Sequence, residues 1–388
     1  MIVQNATVVA MPWDLAPHLP WQVFTSPVSK WATQPSFVVG EYLFMLCALL
    51  ALFHARAGGR KYVMAWLGAL VAGTANDLIF MAMPVVDNFW QAQSTVMLTP
   101  RLPLYIPCVY VCFMYYPTVA VWRLGLRPVA AAMATGVVAM VFYGPYDIVG
   151  AKFLWWTWHD TDRPIEQRLL GAPIGSSMWV LTFVASFAYL LARVVARDPG
   201  VSRGSMLRGI GLVAGLSSLM MVVQITALQQ LDHGVPGPLG LIVAIAVYGA
   251  VVAHGWSRRV AATGNPRDRV LHVVVVGYFV VLVAIGALFD PATHVSTSMH
   301  QPHGQCYVEA KDIAGFTRYE FLCVQDFDED FTFGCVDQPL VAGEQWYTVC
   351  GRGHRNFTAW MLGVGGLAAL GIALFSLLLR RSSTARSS

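Results

Sequence analysis

The sequence predicts an all-α polytopic membrane protein with about nine transmembrane helices and a small disulfide-rich extracytoplasmic insert. Three observations predict it: an apolar excess in the composition, the number and length of charge-poor runs, and a one-sided distribution of Lys and Arg between those runs.

Apolar residues make up 56% of the chain and charged residues 12%, against about 45–50% and about 25% in ordinary soluble domains. A chain of 388 residues cannot hide that much apolar surface inside itself, so lipid must cover it. The membrane bilayer is therefore the one partner that composition alone demands.

Nine charge-poor runs follow: Phe37–Phe53, Tyr62–Val85, Leu104–Trp122, Val129–Ile148, Gly175–Leu191, Met206–Leu228, Gly237–Ala253, Val270–Phe289 and Phe357–Leu379. Each reaches or approaches the roughly 20 residues that cross a hydrocarbon layer about 30 Å thick. Pro84, Pro107, Pro117 and Pro145 interrupt them, which is tolerated where neighbouring helices or water take up the freed backbone groups.

Orientation follows from the basic residues. One set of connections and the tail hold 16 of them, among them Arg56, Arg60, Lys61, Arg193, Arg258 and Arg380; the longer opposite set holds nine. With nine spans every basic cluster lands on one side, which predicts an N-terminus outside and a C-terminus in the cytosol. The expected organisation is an outer segment 1–36, an eight-helix core 37–289, a cysteine-containing outer domain 290–356, a ninth span 357–379 and a basic cytosolic tail 380–388. Residues 1–36 lack a basic start followed by an apolar core, so Phe37–Phe53 is expected to act as an uncleaved reversed anchor. Whether the membrane is the plasma membrane or an endomembrane is not encoded in these features.

Cys47, Cys108 and Cys112 lie in spans, as small apolar packing residues do. Cys306, Cys323, Cys335 and Cys350 all fall in the 67-residue outer connection. Four cysteines in an oxidising compartment predict two disulfides, with three pairings open. The alternation around them predicts short strands. Asn5 and Asn356 begin glycosylation sequons on the expected outer face.

Ionisable residues within spans are costly and point to function. Glu41, Asp77 and Asp147 all lie toward the outer ends of their spans, with Asn76 and Gln224 at similar depth. The stretch "YDIVGAKFLWWTWHDTDRP" adds Trp155, Trp156, Trp158, His159, Asp160 and Asp162 at the same level. Three carboxyls as candidate catalytic groups, with Asn76 and these loop residues as substrate-binding candidates, would line a pocket open to the outer leaflet. A structural reading stands beside each. The tryptophans match an interfacial aromatic belt, and His159, Asp160 and Asp162 match a wet loop. Asp147 after Gly144-Pro145 could cap a short interfacial helix over 148–156, and Glu41 could reach the interface. Asp77 lies too deep for that and needs a partner. Small residues Gly68, Ala69, Ala72 and Gly73 beside it suit close helix packing.

No metal site is expected, because no second histidine stands at a helical i+4 spacing from His159. No nucleophile–base motif or phosphate-cradling loop is visible, no cofactor can be named, and the cytosolic arginines read as topology rather than nucleic-acid binding.

Residues 145–183 resemble a segment of the membrane-embedded lycopene cyclases of carotenoid synthesis and the related carotenoid hydratases. The resemblance lies in Pro145-Tyr146-Asp147, then Trp156-Thr157-Trp158, then Gly171-Ala172-Pro173 leading into Met178-Trp179 and Phe183, about 40 residues of 388. It implies roughly seven helices around a lipid-like polyene, with residues 290–388 an addition. Where those cyclases usually carry paired glutamates as proton donors this chain has Ser176-Ser177, a departure that puts the same cyclisation chemistry in question. Protonating an alkene needs a carboxylic acid kept neutral in an apolar pocket and aromatic faces for the resulting cation. Asp147 or Asp77 would be the acid, Trp156 and Trp158 the cation stabilisers, and Glu41 a further pocket carboxyl, acting on an isoprenoid or other lipid. A receptor, a lipid carrier or transporter, and a scaffold using its ectodomain are the competing classes.

Overall fold

The computed structural model describes residues 21–83, 88–159, 161–196, 203–260, 267–312, 315–323, 330–335 and 342–380. Asn5 and Asp160 lie outside the described residues. Among those residues, nine helices are long and apolar enough to cross a membrane.

A short helix α1 (Pro27–Thr33) leads into α2 (Pro35–Gly58), then α3 (Arg60–Ala82), α4 (Tyr105–Trp122), α5 (Pro128–Lys152), α6 (Ile174–Val195), α7 (Arg203–Gln229), α8 (Pro238–Trp256), α9 (Arg269–Leu288) and α10 (Phe357–Leu379). The helix starts are chemically legible. Pro27, Pro35, Pro128 and Pro238 open α1, α2, α5 and α8, where proline's missing N–H costs nothing. Asp268 and Asn356 cap α9 and α10, accepting the backbone N–H of Leu271 and Ala359 at 3.0 Å each. Asn356 is therefore an exposed N-cap as well as a sequon residue.

Helix α4 is buried on nearly every side and packs against α2, α3 and α5. Helix α5 in turn carries α6, α8, α9 and α10, while α7 closes against α3 and α6. At the end of the bundle where α2 finishes, His54 joins three helices: its Nε2 lies 2.9 Å from Asp268 Oδ2 and its Nδ1 2.7 Å from the Tyr115 hydroxyl.

The other end is roofed by strands. β1 (Phe89–Gln91) pairs antiparallel with β2 (Trp156–Trp158). β3 (Arg168–Leu169) and β4 (Ala172–Pro173) form a tight hairpin whose turn residues, Leu170 and Gly171, both have positive φ. The segment after α9 builds a small cap from β5 (Val295–Met299), β6 (His303–Gly304), β7 (Glu309–Lys311), β8 (Thr317–Tyr319), β9 (Leu322–Cys323), β10 (Phe331–Thr332) and β11 (Trp346–Gly351). β11 lies between β10 and β5, all antiparallel; β7 pairs with β8, and β6 runs parallel to β9. Of the three possible cysteine pairings the cap uses the sequential one, Cys306–Cys323 and Cys335–Cys350.

One boundary departs from expectation in a way that matters. Helix α5 does not stop at Ile148 but continues to Lys152, so Asp147 lies within it rather than capping a separate helix over 148–156. The reason is local. Lys152 is drawn to the cap, with Nζ 3.4 Å from Asp330 Oδ1 and 3.3 Å from the Gly353 carbonyl. Leu154 then turns left-handed (φ 56°), an uncommon choice for leucine. Its side chain is buried with Leu322, Phe331, Tyr347 and Val349, the apolar core of the cap.

Candidate functional site

Beneath the cap, α2, α3, α4 and α5 each bring a carboxyl or a tyrosine to one level. Glu41 of α2 is fully buried. Its Oε2 accepts the backbone N–H of Thr95 at 3.1 Å, and its Oε1 has no partner. Asp77 of α3 accepts the Tyr110 hydroxyl on Oδ1 at 2.7 Å. Asn76, beside it, accepts Ser218 Oγ of α7 at 2.9 Å and donates weakly to the Tyr110 oxygen at 3.5 Å. Asn76 and Asp77 thus tie α3 to α4 and α7. Asp147 of α5 is buried, with the Ser176 hydroxyl at the start of α6 its hydrogen-bonding neighbour and Arg168 on β3 within electrostatic reach.

Tyrosines connect the three acids. Tyr105 donates to Gln91 Oε1 at 2.8 Å and accepts from Tyr146. Tyr105 feels both Glu41 and Asp77, and Tyr143 feels both Asp77 and Asp147. Asp77 and Asp147 therefore both lie within electrostatic reach of Tyr143. Tyr143 is partly accessible. Its ring meets Phe113 at 5.1 Å and Tyr146 at 5.2 Å. Trp179 of α6, also partly accessible, faces Tyr110 at 5.7 Å and stacks on Phe183 at 5.4 Å.

The loop candidates divide into two groups. Trp156 packs on the tyrosines, with its ring 5.0 Å from Tyr146. Trp158, on the same strand, packs on Phe89 at 5.6 Å across the β1–β2 pair. The others hold the roof. Trp155 is wholly buried rather than interfacial: Gly40 leaves the space its indole fills, since a Cβ there would stand 2.2 Å from the ring. His159 donates from Nε2 to the Tyr319 carbonyl at 2.8 Å. Asp162 is not in a wet loop but in a buried ion pair: Arg318 Nε donates to Oδ2 at 2.7 Å, with Nη2 on the same oxygen.

Two histidines unmarked by any sequence pattern complete the roof. His294 donates from Nδ1 to the Asp290 carbonyl at 3.0 Å, so its Nε2 accepts the Ser36 hydroxyl at 2.7 Å, and Ser36 Oγ accepts the Trp155 indole N–H at 3.2 Å. His300 bonds Thr157 Oγ1 at 3.2 Å and Ser298 Oγ at 3.3 Å. Burial lowers both to about 4, which keeps them neutral at ordinary pH. Of the tyrosines nearby, Tyr105, Tyr110 and Tyr143 were also not singled out. Their signal was present, because a phenol in an apolar span needs a hydrogen-bond partner. Among the described residues no three His, Cys, Asp or Glu side chains converge as a metal-ligand set.

No curated protein and no solved structure matches the chain. A family described as a domain of unknown function, DUF7802, matches residues 8–197 and 214–379, nearly the whole of the bundle and cap. The chain belongs to the DUF7802 family.

Proposed function

We propose that this is a multi-pass membrane enzyme that delivers a proton from its buried acid–tyrosine cluster to an isoprenoid or similarly apolar lipid. The observation that carries the reading is Asp147: a buried carboxyl with Ser176 beside it, within electrostatic reach of Tyr143, which is also within reach of Asp77. An acid that delivers a proton must hold it until the substrate arrives. Asp147 is the donor, Asp77 and Glu41 are the neighbouring carboxyls, and Tyr143, Tyr146 and Trp156 offer faces to a developing cation. Trp179 and Phe183 extend the apolar wall. The cap lies outside the cytosol in this reading, supported by its two disulfides and by the arginine-rich connections gathered at the opposite end.

A non-enzymatic lipid carrier or receptor is the second reading. The observation in its favour is that Asp77 is fixed by Tyr110 between three helices, as a structural acid would be. One experiment separates them: native extraction with mass spectrometry of co-purifying lipids, wild type against Asp147→Asn. Chemically altered isoprenoid in the wild type alone supports the enzyme. The same unaltered lipid with both proteins supports the carrier, and no lipid with either removes both.

A further inference from the structure

Lys30, on α1, is one of four lysines in the chain and is only 6% exposed. Among the described residues a single acceptor reaches its Nζ, the side-chain oxygen of Gln34 one turn on. Gln34 has no freedom to turn away, because its Nε2 donates to the Leu154 carbonyl at 2.8 Å and more weakly to that of Phe153 at 3.5 Å. An ammonium group carries three donors and is costly to bury with one acceptor; a neutral amine, with one N–H donated and a lone pair free, fits the site. Burial lowers Lys30 to about 7 against the opposing pull of Glu41.

The surroundings are aromatic and apolar. The Phe37 ring lies 4.9 Å from Nζ, with Trp155 stacked on it at 6.0 Å and Tyr105 edge-on at 5.2 Å. Glu41, one helical turn below Phe37, is in electrostatic reach of Lys30 but makes no contact with it, and its Oε1 is buried without a partner. A buried carboxyl held by Thr95 and a singly bonded amine thus lie within electrostatic reach of one another.

We propose that Lys30 is a covalent ligand site that condenses with the carbonyl of an apolar aldehyde, with Glu41 as acid and counter-ion. The Nζ lone pair attacks the carbonyl carbon while one amine proton passes to the oxygen, giving a carbinolamine. The neutral Glu41 carboxyl then protonates the hydroxyl, which leaves as water as the C=N bond forms. The iminium so produced is paired with the Glu41 carboxylate, and hydrolysis reverses each step. The site shares Glu41 with the acid cluster but does not depend on alkene protonation there.

The test uses the full chain in lipid nanodiscs with dodecanal and cyanoborohydride at neutral pH, followed by peptide mass spectrometry. The reduced adduct is expected on Lys30 at about tenfold or more over Lys61, Lys152 and Lys311, because a neutral, desolvated amine is the competent nucleophile. Lys30→Arg should remove it. Glu41→Gln, with an unchanged size-exclusion profile, should slow its formation by about tenfold or more. Denatured protein, labelled evenly, serves as the control for peptide detection. Even labelling of the four lysines in the folded protein, or none on Lys30, overturns the proposal, and undiminished labelling in Glu41→Gln overturns the role of Glu41.

Discussion

The Tyr110 hydroxyl donates to Asp77 Oδ1 at 2.7 Å, and the approach is possible only because Gly73, one turn earlier on α3, carries no side chain. A Cβ at Gly73 would stand 2.2 Å from the Tyr110 ring. Gly73→Ala should therefore push α3 from α4 at a cost of about 1–3 kcal/mol. Tyr110→Phe keeps the packing but leaves the acid without its donor, and should cost about 1–3 kcal/mol. Thermal unfolding in detergent measures both. An unchanged midpoint in Tyr110→Phe would show that Asp77 finds another partner.

The Asp162–Arg318 pair ties the loop after β2 to β8 of the cap. Breaking a buried ion pair by removing one partner strands the other charge and costs about 3–5 kcal/mol. Arg318→Ala is expected to raise hydrogen exchange over residues 156–169 while α2 to α4 stay protected. Exchange confined to β7 and β8 would mean that the pair does not fasten the roof.

His294 and His300 make the roof sensitive to acid. Both titrate near 4 when folded, because burial disfavours their charged form, against about 6.5 when unfolded. Between these values the unfolded chain binds more protons, so stability rises with pH. Their contribution is complete above about pH 6.5 and is lost as pH falls toward 4. The unfolding midpoint should fall across that interval, and His294→Gln with His300→Gln should flatten the profile. A double variant as acid-sensitive as the wild type would assign the effect to other groups.

Non-reducing peptide mapping should recover Cys306 with Cys323 and Cys335 with Cys350. The sequence separations are 17 and 15 residues, and loops of that length are worth about 3 kcal/mol each. Replacing either pair by serine should lower cap stability by that order. Recovery of a crossed pairing would contradict the strand register around β11.

The nine spans were legible because each is a physical quantity in itself, an apolar length, and the cysteine cap because its residues cluster in one connection. Asp77 was legible from depth alone. The tyrosine connections were not, since Tyr105 and Tyr143 are separated in sequence and meet only once α4 and α5 pack. Trp155 looked interfacial because no pattern marks Gly40 as the space it fills. Asp162 looked solvated because its partner, Arg318, is 156 residues away. Lys30 is one of the nine basic residues of the outer set, and its burial is legible only in the fold, because the Gln34 that ends α1 bonds the Leu154 carbonyl.

Leu154 adds a consequence for how the molecule is made. It leaves α5 between the fourth and fifth membrane-length helices, yet its apolar neighbours are Leu322, Phe331, Tyr347 and Val349. During synthesis that leucine is complete long before its neighbours exist, and four further helices must emerge first. The half-built bundle therefore carries an uncovered apolar plug at its roof, and the order of translation leaves it bare until the cap has emerged, with only α10 still to follow.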